Sequence, residues 1–87
     1  MRPLRTADKV RHVPTGETWI LAYADHEAGT VCPMGWPFTQ ANLIDCEPVD
    51  FADDHAYLDA LAELAVSGFS GAGRAVQIAA IEIGRRP

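Results

Sequence analysis

The sequence predicts an α+β fold: a small four-stranded antiparallel sheet or SH3-like barrel, followed by two C-terminal helices. Three observations carry that prediction. Short apolar, β-branched runs between Lys9 and Cys46 are each bounded by Pro, Gly or Asp. After Val49 the apolar residues recur at helical spacing instead. The chain has 87 residues with 48% hydrophobic content, enough for one core. A domain this short buries only about 60% of its unfolded surface.

The elements follow in order. Met1 to Asp8 is polar and basic and reads as a loose arm. Lys9-Val10-Arg11-His12-Val13 alternates and stops at the turn signal Pro14-Thr15-Gly16. Thr18 to Ala24 is the strongest strand, with Trp19, Leu21 and Tyr23 on one face and Ile20, Ala22 and Ala24 on the other. Two apolar faces make it central. Asp25 to Gly29 reads as a hairpin loop into Thr30-Val31-Cys32, where Pro33 and Pro37 call for an edge or a bulge. Ala41 to Cys46 gives the fourth strand, closed by Pro48, so residues 9–49 form the β-rich part of a single domain spanning 1–87.

Residues 50–84 read as a helical hairpin. Asp50 or Asp53 can cap its first helix, and Asp53 and Asp54 suit the positive end of the dipole. Tyr57, Leu58, Leu61, Leu64 and Ala65 make its apolar stripe, and Gly68 is a stop. A second helix runs from Ser70 through Ile83, with Ala72, Val76, Ala79, Ala80 and Ile83 on one face and Ile78 and Ile81 opposite. The β-branched Val76-Gln77-Ile78 leaves a strand open as the alternative there.

Charge is distributed unevenly. The formal net charge is −5, from 7 basic and 12 acidic residues. Every Lys and Arg lies at an end of the chain, so the flanks sum to +5 and the stretch between His12 and Gly73 to −10. That argues against a nucleic-acid binder with a basic central surface and for a partner with a basic surface. No apolar stretch is long enough for a membrane span, and two cysteines are too few for a secreted disulfide scaffold, so the expected compartment is the cytoplasm.

Val10-Arg11-His12-Val13-Pro14-Thr15-Gly16-Glu17-Thr18-Trp19, then Ala22-Tyr23, Gly35-Trp36-Pro37 and Ala41-Asn42-Leu43-Ile44-Asp45-Cys46 together resemble a known set. The set is small, mostly uncharacterised proteins of tailed phages and prophages that share His-x-Pro-Ser/Thr-Gly-Glu-x-Trp, Gly-Trp-Pro and Asp-Cys stretches. The resemblance covers Lys9 to Val49 and departs at one point: Pro33 and Met34 separate Cys32 from Gly35, where that set usually has a cysteine directly before Gly-Trp-Pro. It implies a phage or prophage accessory protein acting inside a bacterial cell and brings no catalytic residues with it.

The residues themselves assemble no catalytic set. A reactive thiolate needs a cationic neighbour or a helix start, and neither Cys32 nor Cys46 has one in sequence. The run Gly71-Ala72-Gly73-Arg74 lacks the Lys-Ser/Thr of a phosphate loop. A zinc site from His12, Cys32 and Cys46 is the metal alternative, but its spacing lacks the close ligand pairs of structural zinc sites. Trp19 and Tyr23 suit the core, whereas Trp36 and Phe38 bracket Pro37 in a loop and suit an interface.

The expected function is therefore a non-enzymatic accessory protein that binds and modulates a host bacterial protein, with inhibition the favoured outcome. No cofactor is called for. Trp36, Phe38, Asp50, Asp53 and Asp54 are the candidate partner contacts. Ile78 and Ile81 form a second face, for a partner or a homodimer through the last helix. The alternative is a small zinc-binding or nucleic-acid-associated module.

Overall fold

The computed structural model describes residues 2–34, 40–67, 73–74 and 76–78. Among the described residues, five strands and one long helix follow one another: β1 (Lys9–His12), β2 (Glu17–Asp25), β3 (Thr30–Pro33), β4 (Ala41–Asn42), a 3-10 turn (Leu43–Asp45), β5 (Cys46–Asp50) and α1 (Asp54–Ser67). The strands form one antiparallel sheet in the order β4-β3-β2-β1-β5. The fold is α+β, as the sequence predicts, with two corrections to the sheet.

The first concerns strand number. The run Ala41–Cys46, expected as one strand, is broken by the 3-10 turn into two, and the pieces lie on opposite edges of the sheet. Leu43 N donates to the Gly29 carbonyl and Val13 N to the Asp45 carbonyl, so the turn is fastened at both ends. A flat five-stranded sheet would hold its outer strands about 19 Å apart. The four residue steps from Asn42 to Cys46 span at most about 14 Å. The sheet must therefore curl until β4 and β5 approach at this corner. It is nonetheless open: no ladder joins the two outer strands, which corrects the barrel reading.

The second correction concerns β2. Leu21 pairs with Pro33 and Tyr23 with Cys32, so Ala22 is an extra residue in that ladder. Pro33 offers no N–H, and the bulge predicted from the prolines does fall opposite it, with the extra residue on β2. Strict alternation fails at that point. Leu21 and Ala24 join one buried cluster with Leu4, Val10, Val31 and Cys46, while Ala22 and Tyr23 join another with Cys32 and Leu64. The bend lets β2 serve both halves of the sheet: residues 17–20 pair with β1, and residues beyond the bulge pair with β3. β3 lies inside the sheet, between β4 and β2, rather than at an edge. Gly16 and Gly29 close the two hairpins at positive φ, where a side chain would be strained.

The N-terminal arm is docked, not loose. Leu4, Arg5, Thr6 and Asp8 are all buried. Ala7 N donates to the Leu21 carbonyl and Leu21 N to the Asp8 carbonyl, which prolongs the β1–β2 ladder backwards into the arm. Thr6 Oγ1 donates to the Ala22 carbonyl at 2.6 Å, supplying a partner to the carbonyl that the bulge displaces. Ala7 holds φ at +75°, a conformation unusual for a residue with a side chain and maintained by the bonds on either side of it.

α1 begins where Asp53 Oδ1 accepts the Ala56 N–H at 2.8 Å, so Asp53 is the capping residue. Tyr57, Ala60 and Leu64 form its buried stripe. Leu58, expected in that stripe, faces outward. Residues 76–78 are helical, which decides the open choice between helix and strand for Val76–Ile78. Residues 73–74 are helical as well; the other residues of the expected second helix, and the connection from α1, lie outside the described residues.

Candidate functional site

The basic arm meets the start of α1 through a dense polar cluster. Asp8 is fully buried, and its two carboxylate oxygens accept from Arg2 Nη1 and Nη2 at 2.7 and 2.6 Å, Arg5 N at 2.9 Å and Ala52 N at 2.8 Å. Arg2 Nη2 also donates to the Ala52 carbonyl at 2.8 Å. Arg5 Nη2 reaches Asp54 Oδ1 at 2.7 Å. The two guanidiniums lie over the rings of Phe51 and Tyr57, at 4.7 and 4.1 Å from their centroids. Arg5 Nε is buried without a hydrogen-bond partner, and its group rests on the Tyr57 ring instead.

Elsewhere the basic residues also return to the acidic middle of the chain. Arg74 donates from Nε and Nη2 to Asp25 Oδ2 at 3.0 and 2.6 Å, while Asp25 Oδ1 accepts the Glu27 and Ala28 N–H groups of the β2–β3 loop. The bond from Arg74, then that from Ala28, holds the Asp25 carboxyl below its ordinary range, and Asp25 in turn raises Arg74. Arg11 lies 3.8 Å from Glu47 on the exposed sheet face, and Lys9 stands opposite Asp50 in register.

The predicted contact residues are thereby sorted. Asp54 is held by Arg5 while still 67% exposed, Asp53 is occupied in capping, and Asp50 is exposed at the end of β5. Ile78 is half-buried and packs on the cluster of Ala22, Tyr23, Cys32 and Leu64, so much of its side chain faces inward. Trp36, Phe38 and Ile81 lie outside the described residues.

The metal alternative does not assemble. His12 and Cys46 face each other across β1 and β5, but Cys32 sits in the other buried cluster. Among the described residues no three His, Cys, Asp or Glu side chains come together as a metal site. The His12 ring stacks on Trp19 at 4.3 Å between centroids, and its Nδ1 lies 2.9 Å from Thr15 Oγ1. Burial pushes both thiols up, and at Cys46 the Asp45 charge adds to it, so neither is poised as a thiolate nucleophile. Among the described residues no helix is long and apolar enough to cross a membrane.

The outward side of α1 is apolar and acidic. Leu58, Ala62 and Val66 recur every four residues along the solvent side of α1, with Leu58 49% and Val66 86% exposed. Four-residue spacing makes a continuous ridge along a helix. Asp59 and Glu63 run beside it, His55 Nδ1 is 3.2 Å from Asp59 Oδ2, and the helix contains neither Lys nor Arg. A smaller exposed apolar pair, Val13 and Ile44, sits at the corner where Val13 N bonds the Asp45 carbonyl. The α1 ridge was legible in the sequence, because apolar residues encircle the helix rather than keep to one face. Reading a single stripe from Tyr57 to Ala65 absorbed Leu58 into the core. Comparison with known proteins finds no matching family model, no similar curated protein and no similar solved structure.

Proposed function

We propose that this chain is a non-enzymatic binding module that docks on a basic surface of a host bacterial protein and modulates it by occupying that surface. The observation that carries the reading is the solvent side of α1, where Leu58, Ala62 and Val66 stand exposed beside Asp59 and Glu63 on a helix without a basic residue. Exposed aliphatic side chains flanked by one sign of charge combine contact area with steering toward an oppositely charged partner. Elsewhere in the acidic stretch, Asp54, Glu47 and Asp25 already face Arg5, Arg11 and Arg74. The resemblance over Lys9 to Val49 supplies the setting, a phage or prophage accessory protein in a bacterial cell. The buried, up-shifted thiols support the non-enzymatic part of the reading.

Affinity capture from bacterial lysate tests it, with the wild type and a Leu58→Gln/Val66→Gln variant run side by side. The expected result is one protein retained reproducibly by the wild type and lost with the variant. Retention of nothing, or of the same proteins by both forms, removes the reading.

A further inference from the structure

Resting on that reading, the charge and spacing of α1 also specify its occupant. We propose that the outer face of α1 receives a basic amphipathic helix of the partner protein, its apolar stripe laid along Leu58, Ala62 and Val66 and its Lys or Arg side chains beside Asp59 and Glu63. The ridge is eight residue steps long, about 12 Å or two turns. A row spaced by four residues fits the groove between corresponding rows of a second helix, the commonest mode of helix–helix packing. The partner stripe then has its anchors at i, i+3 or i+4, and i+7.

Charge selects among occupants. Asp59 and Glu63 are both exposed, and among the described residues the cation that contacts Asp59 is His55, itself exposed and charged only when protonated. A second copy of α1 would bring another Asp59 and Glu63 against the same seam, with no Lys or Arg on either helix to offset them. Self-pairing through this face is therefore disfavoured, as are phosphate backbones and anionic lipid surfaces. A helix carrying Lys or Arg beside its apolar stripe satisfies both halves of the surface at once.

Two synthetic helical peptides of about 18 residues, five turns long, test the assignment. Both carry the same Leu stripe, one flanked by Lys and the other by Glu, and binding is read by fluorescence anisotropy at low and moderate salt. The wild type is expected to bind the Lys-flanked peptide at least about tenfold more tightly than the Glu-flanked one. Val66→Gln is expected to weaken that binding about tenfold, and Asp59→Asn/Glu63→Gln to weaken it several-fold and flatten its salt dependence. These positions are exposed, and circular dichroism of each variant confirms that α1 is retained.

Equal binding of both peptides, no binding of either, or binding indifferent to Val66 overturns the basic-helix occupant. Concentration-dependent self-association in sedimentation that disappears with Val66→Gln overturns it too, and assigns the face to a second copy. If lysate capture still loses its partner in the Leu58/Val66 variant while the peptides fail, the binding-module reading stands and the occupant alone is wrong.

Discussion

The two sides of α1 treat their carboxylates in opposite ways. At the start of the helix, Asp54 is held by Arg5, and the adjoining Ala52 is bonded through its N–H to Asp8 and through its carbonyl to Arg2. Along the solvent side, Asp59 and Glu63 flank exposed aliphatic groups on a helix with no base of its own. Both arrangements draw on the same acidic stretch of sequence. The difference is where the arm reaches. Five strands and a bulge bring Arg2 and Arg5 beside residues 51–54, and the chain's own positive charge is used there. Asp59 and Glu63, beyond the reach of the arm, stay exposed on the solvent side of the helix.

Substitutions can break that contrast. The largest effect is expected from Asp8→Ala, which leaves the Arg5 and Ala52 N–H groups without their acceptor in a buried site and removes the carboxylate that Arg2 grips. Each buried donor left unsatisfied costs about 1–3 kcal/mol, together a large share of the stability of a domain this small. Urea midpoints measure it, and a loss below about 1 kcal/mol would mean that the arm is not a structural part of the domain. Thr6→Val keeps the shape but removes the donor to the Ala22 carbonyl, at an expected cost of about 1–3 kcal/mol by the same measurement.

A smaller effect belongs to acid unfolding. Asp25 is held below its ordinary pKa in the folded state, so it contributes stability above the unfolded carboxylate value, near 3.9. That contribution declines as the pH falls through this value toward the lower folded one. Arg74→Met removes the main cause. The variant should be less stable than wild type at pH 6, and the two should converge as the pH drops below about 4. Because Arg74 is 43% exposed, the gap should also shrink in high salt. The smallest effect is expected from Val66→Gln, within about 0.5 kcal/mol, since the residue contributes little to the fold. Loss of partner binding with unchanged stability would sharpen the contrast between the two sides.

Periodicity carried much of the architecture. β2 as the central strand was readable from its pleated apolar run, and the cap of α1 was narrowed to Asp50 or Asp53, between which the Ala56 N–H bond to Asp53 decides. Three features were not. Leu43 and Ile44 read as strand whether or not a 3-10 turn interrupts them, since the Gly29 carbonyl and the Val13 N–H that fasten the turn are distant in sequence. The bulge at Ala22 was foreshadowed by Pro33 on the neighbouring strand, yet which strand carries the extra residue is decided by packing. The arm looked loose because its partner, Ala52, lies 50 positions from Arg2. The same gap governed the site: the acidic band was visible as composition, while the fraction of it already paired depends on long-range contacts.

Docking of the arm also sets how the chain meets a protease. Trypsin cuts after Lys and Arg but poorly before Pro, so the first susceptible bonds follow Arg5, Lys9 and Arg11, and the next lies only after Arg74. All three early bonds belong to the docked arm or to β1, where the chain must come away from the sheet before an enzyme can grip it. The stretch from His12 to Arg74 offers no internal cleavage point even when unfolded. On the N-terminal side of Arg74, digestion therefore reads one event, the undocking of the first eleven residues, and leaves the remainder of the sheet and α1 on a single fragment.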